Sequence, residues 1–71
     1  EVKTVDDFLD SIENERLYQI LIEVDSLTLQ AVLLKIQGFS YREIALRLGV
    51  TVKSVYRRMD RLKEKIKKFL S

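Results

Sequence analysis

Residues 38–51 read GFSYREIALRLGVT and carry the local signals that decide the fold. Ser40, followed three positions later by Glu43, forms a capping box, in which the hydroxyl and the carboxylate each accept a backbone N–H at a helix start. Phe39 and Ile44 have the spacing of the hydrophobic staple that accompanies such a box. The stretch therefore predicts a helix that begins directly after the serine.

The end of the same stretch predicts a turn and a second helix. Gly49 can adopt the positive φ that side chains with a Cβ resist, so we expect the first helix to end at Leu48. Thr51 can cap a final helix over about residues 52–70. A short helix, a turn of about three residues that contains glycine, and a basic second helix form the helix-turn-helix arrangement. Ala45 supplies the small side chain needed where the two helices approach.

The final helix has one apolar stripe along its length. Its members are Val55, Met59, Leu62, Ile66 and Phe69. At about 1.5 Å per residue the helix is roughly 28 Å long, which is more than a DNA major groove needs. We therefore expect its second half to pack back on the N-terminal helices.

The remaining sequence also favours helices. It has no Pro, two Gly and no alternating β-branched run. We expect one helix over about residues 14–24, and a second, capped by Asp25 or Ser26, that ends at Gly38. Together these elements predict an all-α fold: a small helix-turn-helix bundle of about four helices with a long C-terminal recognition helix.

The length of 71 residues allows one small domain. We divide it into an N-terminal segment, 1–12, which can hold a short helix, and a helix-turn-helix DNA-binding domain, 13–71, whose turn element spans 40–60. Because the chain begins with Glu1 rather than Met, we expect an excised fragment or a processed product.

Composition excludes several chemistries. The absence of Cys and His removes thiolate nucleophiles, histidine bases, zinc-finger ligand sets and haem axial histidine. We therefore expect no enzyme, no catalytic residue, no metal site and no cofactor. No apolar run approaches the roughly 20 residues that span a bilayer, so we expect a soluble protein without a membrane partner. The absence of Cys fits a cytoplasmic chain.

Charge is divided unevenly along the chain. Residues 1–34 carry eight acidic and two basic side chains, whereas residues 35–71 carry eleven basic and three acidic ones. This asymmetry indicates two surfaces with different partners, and the basic half suits a polyanion such as a phosphate backbone. A solvated basic helix is the alternative, and charge alone does not decide between them.

The start of the final helix holds the candidate DNA-binding residues, because helix N-terminal residues enter the major groove in this motif. Arg57 is the expected base reader, since its guanidinium fork matches the two acceptors of guanine, whereas Arg58 and Arg61 are expected to contact phosphates. Tyr56 can contact DNA or pack half-buried. The candidates on this helix and its cap are Thr51, Lys53, Ser54, Tyr56, Arg57, Arg58 and Arg61.

Residues 33–50 read LLKIQGFSYREIALRLGV, which resembles region 4 of bacterial sigma factors of the sigma-70 family, with its G-x-S-Y-x-E-I-A-x-x-L-G signature. Residues 53–55, KSV, together with Arg58 and the later run RLKEK at 61–65, are similar to the sigma-H type of stationary-phase and sporulation factors. The resemblance covers about residues 14–70, nearly the whole chain.

This resemblance implies a domain that binds the -35 promoter element of double-stranded DNA through its last helix, while its N-terminal helices rest on the β-subunit flap of RNA polymerase. It matches Tyr41, Arg42 and Arg47 to supporting contacts with the DNA backbone. We expect a monomer, and an anti-sigma regulator remains open as a further partner. Two departures weaken the subfamily assignment: Asp25 stands where many members have Pro, and Gln30 where they usually have Glu.

Two other functions remain open from the sequence. The DNA-binding output domain of LuxR-type response regulators shares the G-x-S-x-x-E-I-A pattern, and such a domain is expected to dimerise on DNA. A helical protein or membrane interaction module is the other alternative, in which the apolar stripe of the final helix meets another chain or a lipid surface.

Overall fold

The structure is a computed structural model that describes residues 4–70, except for the side chains of Val5, Asp6, Phe8, Phe69 and Leu70. Within this range it contains helices and no strand, which confirms the all-α prediction. The helices in chain order are α1 (Val5–Asp10), α2 (Glu15–Ile22), α3 (Ser26–Ile36), α4 (Tyr41–Leu48) and α5 (Val52–Leu70). The four main helices are the predicted ones, and α1 is the short helix that residues 1–12 can hold.

The helix starts are fixed by side-chain caps. Asn14 caps α2, where its Oδ1 accepts the Leu17 N–H at 3.0 Å. Asp25 rather than Ser26 caps α3, because its carboxylate accepts the Thr28 N–H at 3.1 Å. Each cap satisfies a backbone donor that has no partner inside its helix.

The capping box at α4 is complete. The Glu43 N–H donates to Ser40 Oγ at 3.2 Å, and the Ser40 N–H donates to Glu43 Oε1 at 3.1 Å. At α5, the Ser54 N–H donates to Thr51 Oγ1 at 3.1 Å. Both predicted caps of the helix-turn-helix are therefore confirmed.

The turn between α4 and α5 depends on Gly49. Its φ is 70°, in the left-handed region, and the next N–H, of Val50, donates to the carbonyl of Ala45 at 3.0 Å. This geometry ends α4 and changes the chain direction within three residues, so α5 leaves at an angle to α4 instead of continuing it.

Two clusters of buried apolar side chains hold the helices together. The N-terminal cluster consists of Leu21, Leu29, Leu33 and Leu62. The turn cluster consists of Ala31, Ile44, Ala45 and Val55. Because α5 contributes Val55 to one and Leu62 to the other, its second half packs back on α2 and α3, as its length predicts. The predicted place of Phe69 in the stripe lies outside the described side chains.

The buried face of α3 includes small and polar residues and leaves one large apolar residue exposed. Ile36 is 59% exposed, although it is one of the large apolar residues of this helix. The buried positions are Thr28, Leu29, Ala31 and Leu33. Ala31 is fully buried in the turn cluster, between residues of α4 and α5, whereas the hydroxyl of Thr28 is hydrogen-bonded to Asp25 and Arg58.

Candidate nucleic-acid interface

The orientation of α5 is set by its buried stripe. Val55 is fully buried against Ile44 and Ala45 of α4, and Leu62 is buried about two turns later. Residues on the opposite side of the helix must therefore face away from the core. Lys53, Arg57 and Arg61 are all exposed there, so the first three turns of α5 present a row of cations.

Six of the candidate residues line one shallow cleft, which we term the α5 cleft. Its lining residues are Thr51, Lys53, Ser54, Arg57, Arg58 and Arg61. It combines two hydroxyl groups with four cationic side chains, a set that suits phosphate and base-edge acceptors. The structure thus brings together most of the residues expected at the start of the recognition helix.

A second open cleft lies beside the first turn of α5, and we term it the tyrosine cleft. Its lining residues are Lys35, Ser40, Tyr41, Arg42, Val52 and Tyr56. The Tyr41 and Tyr56 rings meet edge to face, with centroids 4.6 Å apart and planes at 75°. Lys35 Nζ lies 4.5 Å from the Tyr41 ring centroid. Sequence reasoning missed Lys35, because only the crossing of α3 and α4 brings it to this surface.

Arg47 lies apart from both clefts. It occupies the last turn of α4, where its guanidinium carbon lies 4.1 Å above the centroid of the Phe39 ring. Stacking of this kind orients an arginine while its charge remains exposed to solvent. A contact of Arg47 with the DNA backbone stays a prediction.

Arg58 occupies a different environment from its neighbours. Its Nη1 donates to Asp25 Oδ2 at 2.7 Å and to Thr28 Oγ1 at 3.3 Å. Its Nε is buried and has no hydrogen-bond partner within residues 4–70. The predicted phosphate contact of Arg58 therefore has a competing intramolecular partner: the side chain ties α5 to the start of α3.

The carboxylate of Asp25 is held in its charged form by this cluster. The Thr28 hydroxyl, buried beneath it, donates to Asp25 Oδ1 at 2.7 Å, and this hydrogen bond is the main reason that the pKa of Asp25 lies below its ordinary value of 3.8. The Thr28 backbone N–H and the Arg58 charge lower the pKa further, whereas partial burial opposes the shift. One aspartate thus caps α3 and anchors Arg58.

The lowered pKa of Asp25 predicts a loss of stability in acid. A carboxyl group with a depressed pKa in the folded state stabilises the fold above its unfolded pKa and loses that contribution as the pH falls through the folded value. We expect Asp25→Asn, which retains a good N-cap residue, to flatten the decline of the melting temperature below about pH 4. The difference should stay below about 1 kcal/mol, since exposed ion pairs contribute little.

The measurement is thermal unfolding followed by circular dichroism from pH 6 to pH 2 in both proteins. Glu43 also has a lowered pKa, caused mainly by its hydrogen bond from the Ser40 backbone. Because Glu43 is present in both proteins, its contribution to the pH dependence of stability cancels in the comparison. Parallel pH profiles would show that Asp25 carries no pH-linked stability.

Within residues 4–70 no group of three or more acidic, histidine or cysteine side chains is placed to hold a metal ion. None of the described helices has both the length and the apolar character required to cross a bilayer. The cations that line the two clefts belong to α5, to Arg42 of α4 and to Lys35 of α3.

In a comparison with known protein families, residues 14–66 match the family described as Sigma-70, region 4. No match was found among curated proteins or among solved structures. The matched segment runs from the cap of α2 through most of α5, and so includes the whole helix-turn-helix. The chain therefore belongs to the sigma-70 region 4 family, the DNA-binding domains that act with RNA polymerase at the -35 promoter element in transcription initiation.

Proposed function

We propose that the first turns of α5 enter the major groove of the -35 element and that the α5 cleft carries both base and phosphate contacts. Arg57 reads a guanine edge, and Lys53 and Arg61 neutralise phosphates. The hydroxyls of Thr51 and Ser54 lie at the helix N-terminus, where a phosphate oxygen is favoured by the helix dipole.

The observation that carries this proposal is the opposite placement of charge and apolar surface on α5. Its cations Lys53, Arg57 and Arg61 are exposed, whereas Val55 and Leu62 on the other face are buried. Because Val55, Met59, Leu62 and Ile66 of the apolar stripe pack inside the fold, they are not free to form a coiled coil or to lie on a membrane. This disfavours a helical protein or membrane interaction module.

The backbone contacts extend beyond α5. Arg42 lines the tyrosine cleft at the first turn of α4 and is exposed, so it can reach the phosphates flanking the groove. Arg47, oriented by Phe39, is proposed as a further phosphate contact. Arg58 contributes chiefly by fixing α5 against α3, and its charge adds to the positive field of the cleft.

The acidic N-terminal half, residues 1–34, supports a different partner from DNA. Negative charge repels phosphates and so favours an orientation in which α4 and α5 face the duplex. We propose that α2 and α3 dock on the β-subunit flap of RNA polymerase in the cytoplasm, and that an anti-sigma regulator competes for this part of the domain. The KSV run at 53–55 and the basic residues after it favour the sigma-H type.

Salt dependence of DNA binding tests the proposed function. If about five phosphates are neutralised, the logarithm of the affinity should fall against the logarithm of the salt concentration with a slope near −4.5, from roughly −0.9 per phosphate. Fluorescence anisotropy of a labelled duplex, titrated with the chain at several salt concentrations, measures this slope. A slope near zero would contradict DNA binding through the cationic face.

The same samples distinguish the response-regulator alternative. We expect one copy of the chain per site in analytical ultracentrifugation of the complex, because a sigma domain binds without a two-fold partner. Two copies on a palindromic site would favour the LuxR-type function instead.

A further inference from the structure

Two apolar side chains remain exposed on the part of α5 that faces the proposed groove. Val52 is 37% exposed and Tyr56 is 48% exposed. They are four residues apart, so they lie on the same face of the helix, one turn from each other. Both line the tyrosine cleft. The exposed part of these two side chains is available to a ligand that enters the cleft.

The Tyr56 ring is held in place before any ligand binds. Tyr41, which packs against the turn cluster, meets it edge to face with centroids 4.6 Å apart. Lys35 in turn lies over the Tyr41 ring. A ring fixed in this way loses little side-chain entropy when a ligand contacts it, which is the advantage of preorganisation.

The surroundings of this apolar pair are cationic. Lys53 and Arg57 lie beside it on α5, while Lys35 and Arg42 line the same cleft. A protein interface also has an apolar core within a polar rim, so the sign of the charge carries the argument: the two charged residues that line this cleft, Lys35 and Arg42, are both cations. An apolar pair among cations matches the major groove, in which base edges lie between two rows of phosphates.

The base edges of the major groove offer one apolar group, the 5-methyl of thymine. We propose that Val52 and the ring of Tyr56 contact this methyl group, so that the recognised promoter element requires a T·A pair at the position facing the first turn of α5. The inference rests on the proposed function, in which α5 is the reading helix. It adds a thymine contact to the guanine contact of Arg57 and assigns Val52 to the interface.

The test uses DNA that differs only in this methyl group. The chain selects duplexes from a pool of random sequence, and an enriched duplex is then synthesised with each thymine in turn replaced by uracil. At one or two positions we expect the affinity to fall about fourfold, the factor that corresponds to one buried methyl group. Uracil at thymines outside the site should leave the affinity unchanged.

Three variants assign the contact to these side chains. Val52→Ala and Tyr56→Ala should bind thymine and uracil duplexes with affinities that differ by less than about twofold at that position, because the apolar surface is gone. Tyr56→Phe should retain the full difference, since the ring rather than the hydroxyl meets the methyl. Ile22→Ala is the matched control, because Ile22 is 44% exposed but lies on α2.

The outcomes separate this inference from the proposed function. Enrichment of duplexes that bind equally with thymine or uracil overturns the methyl contact and leaves promoter binding intact. A uracil effect that persists in both alanine variants overturns the assignment to Val52 and Tyr56. Failure to enrich any sequence overturns the proposed function, and this inference with it.

Discussion

Ile44→Ala should destabilise the domain by about 2–5 kcal/mol, the usual cost of truncating a fully buried isoleucine to alanine. The side chain is 0% exposed and lies at the centre of the turn cluster, where α3, α4 and α5 meet. A chain of this size has a total stability of about 4–11 kcal/mol, so the variant should lose a large part of it. Urea unfolding followed by circular dichroism gives the free energy directly.

Leu46→Ala is the matched control for this experiment. It removes a similar aliphatic side chain from the same helix, two positions away, but Leu46 is 79% exposed. Its effect should stay within about 0.5 kcal/mol. Equal losses in the two variants would mean that α4 does not pack through its Ile44 face, and the helix-turn-helix geometry described above would be wrong.

Arg57→Ala should weaken binding to the recognised promoter element by about 1–3 kcal/mol, which is roughly 5- to 140-fold in affinity. The effect should be concentrated at one base pair, because an arginine that is bidentate to guanine discriminates against the other bases. Competition binding with duplexes changed at single positions measures both the loss of affinity and the loss of preference.

Two further variants distinguish a base contact of Arg57 from a simple charge effect. Arg57→Lys keeps the charge but loses the planar fork, so it should retain part of the affinity and lose the preference for guanine. Arg16→Ala removes the same residue type from an exposed position on α2 and should leave DNA binding unchanged. If Arg57→Lys behaved like the unmodified chain, the residue would act as a point charge on a phosphate rather than as a base reader.

The elements that sequence reasoning predicted well are those encoded within a few residues. The capping box of Ser40 and Glu43, the left-handed Gly49 and the cap at Thr51 are all present as predicted. Each depends on hydrogen bonds or steric limits between residues that are close in the sequence, so the sequence alone is enough to predict it. The orientation of α5 could also be predicted, because its apolar residues form a single stripe and so define which face of the helix is buried.

The features that sequence reasoning missed depend on contacts between distant residues. Asp25 and Arg58 are 33 positions apart, and nothing in either local sequence indicates that they form an ion pair. Arg58 resembles Arg57 and Arg61 in a linear reading, yet only the approach of α5 to the start of α3 distinguishes it.

Helices α3 and α5 each contribute side chains to both buried clusters and so connect them. Leu29 and Leu33 of α3 belong to the N-terminal cluster, whereas Ala31 between them belongs to the turn cluster, and α5 likewise crosses from Val55 to Leu62. Within the described residues, α3 and α5 thus join the two clusters. A protein that binds α2 only in the folded state therefore also stabilises the helix-turn-helix against unfolding, because binding to the native state alone stabilises the whole fold.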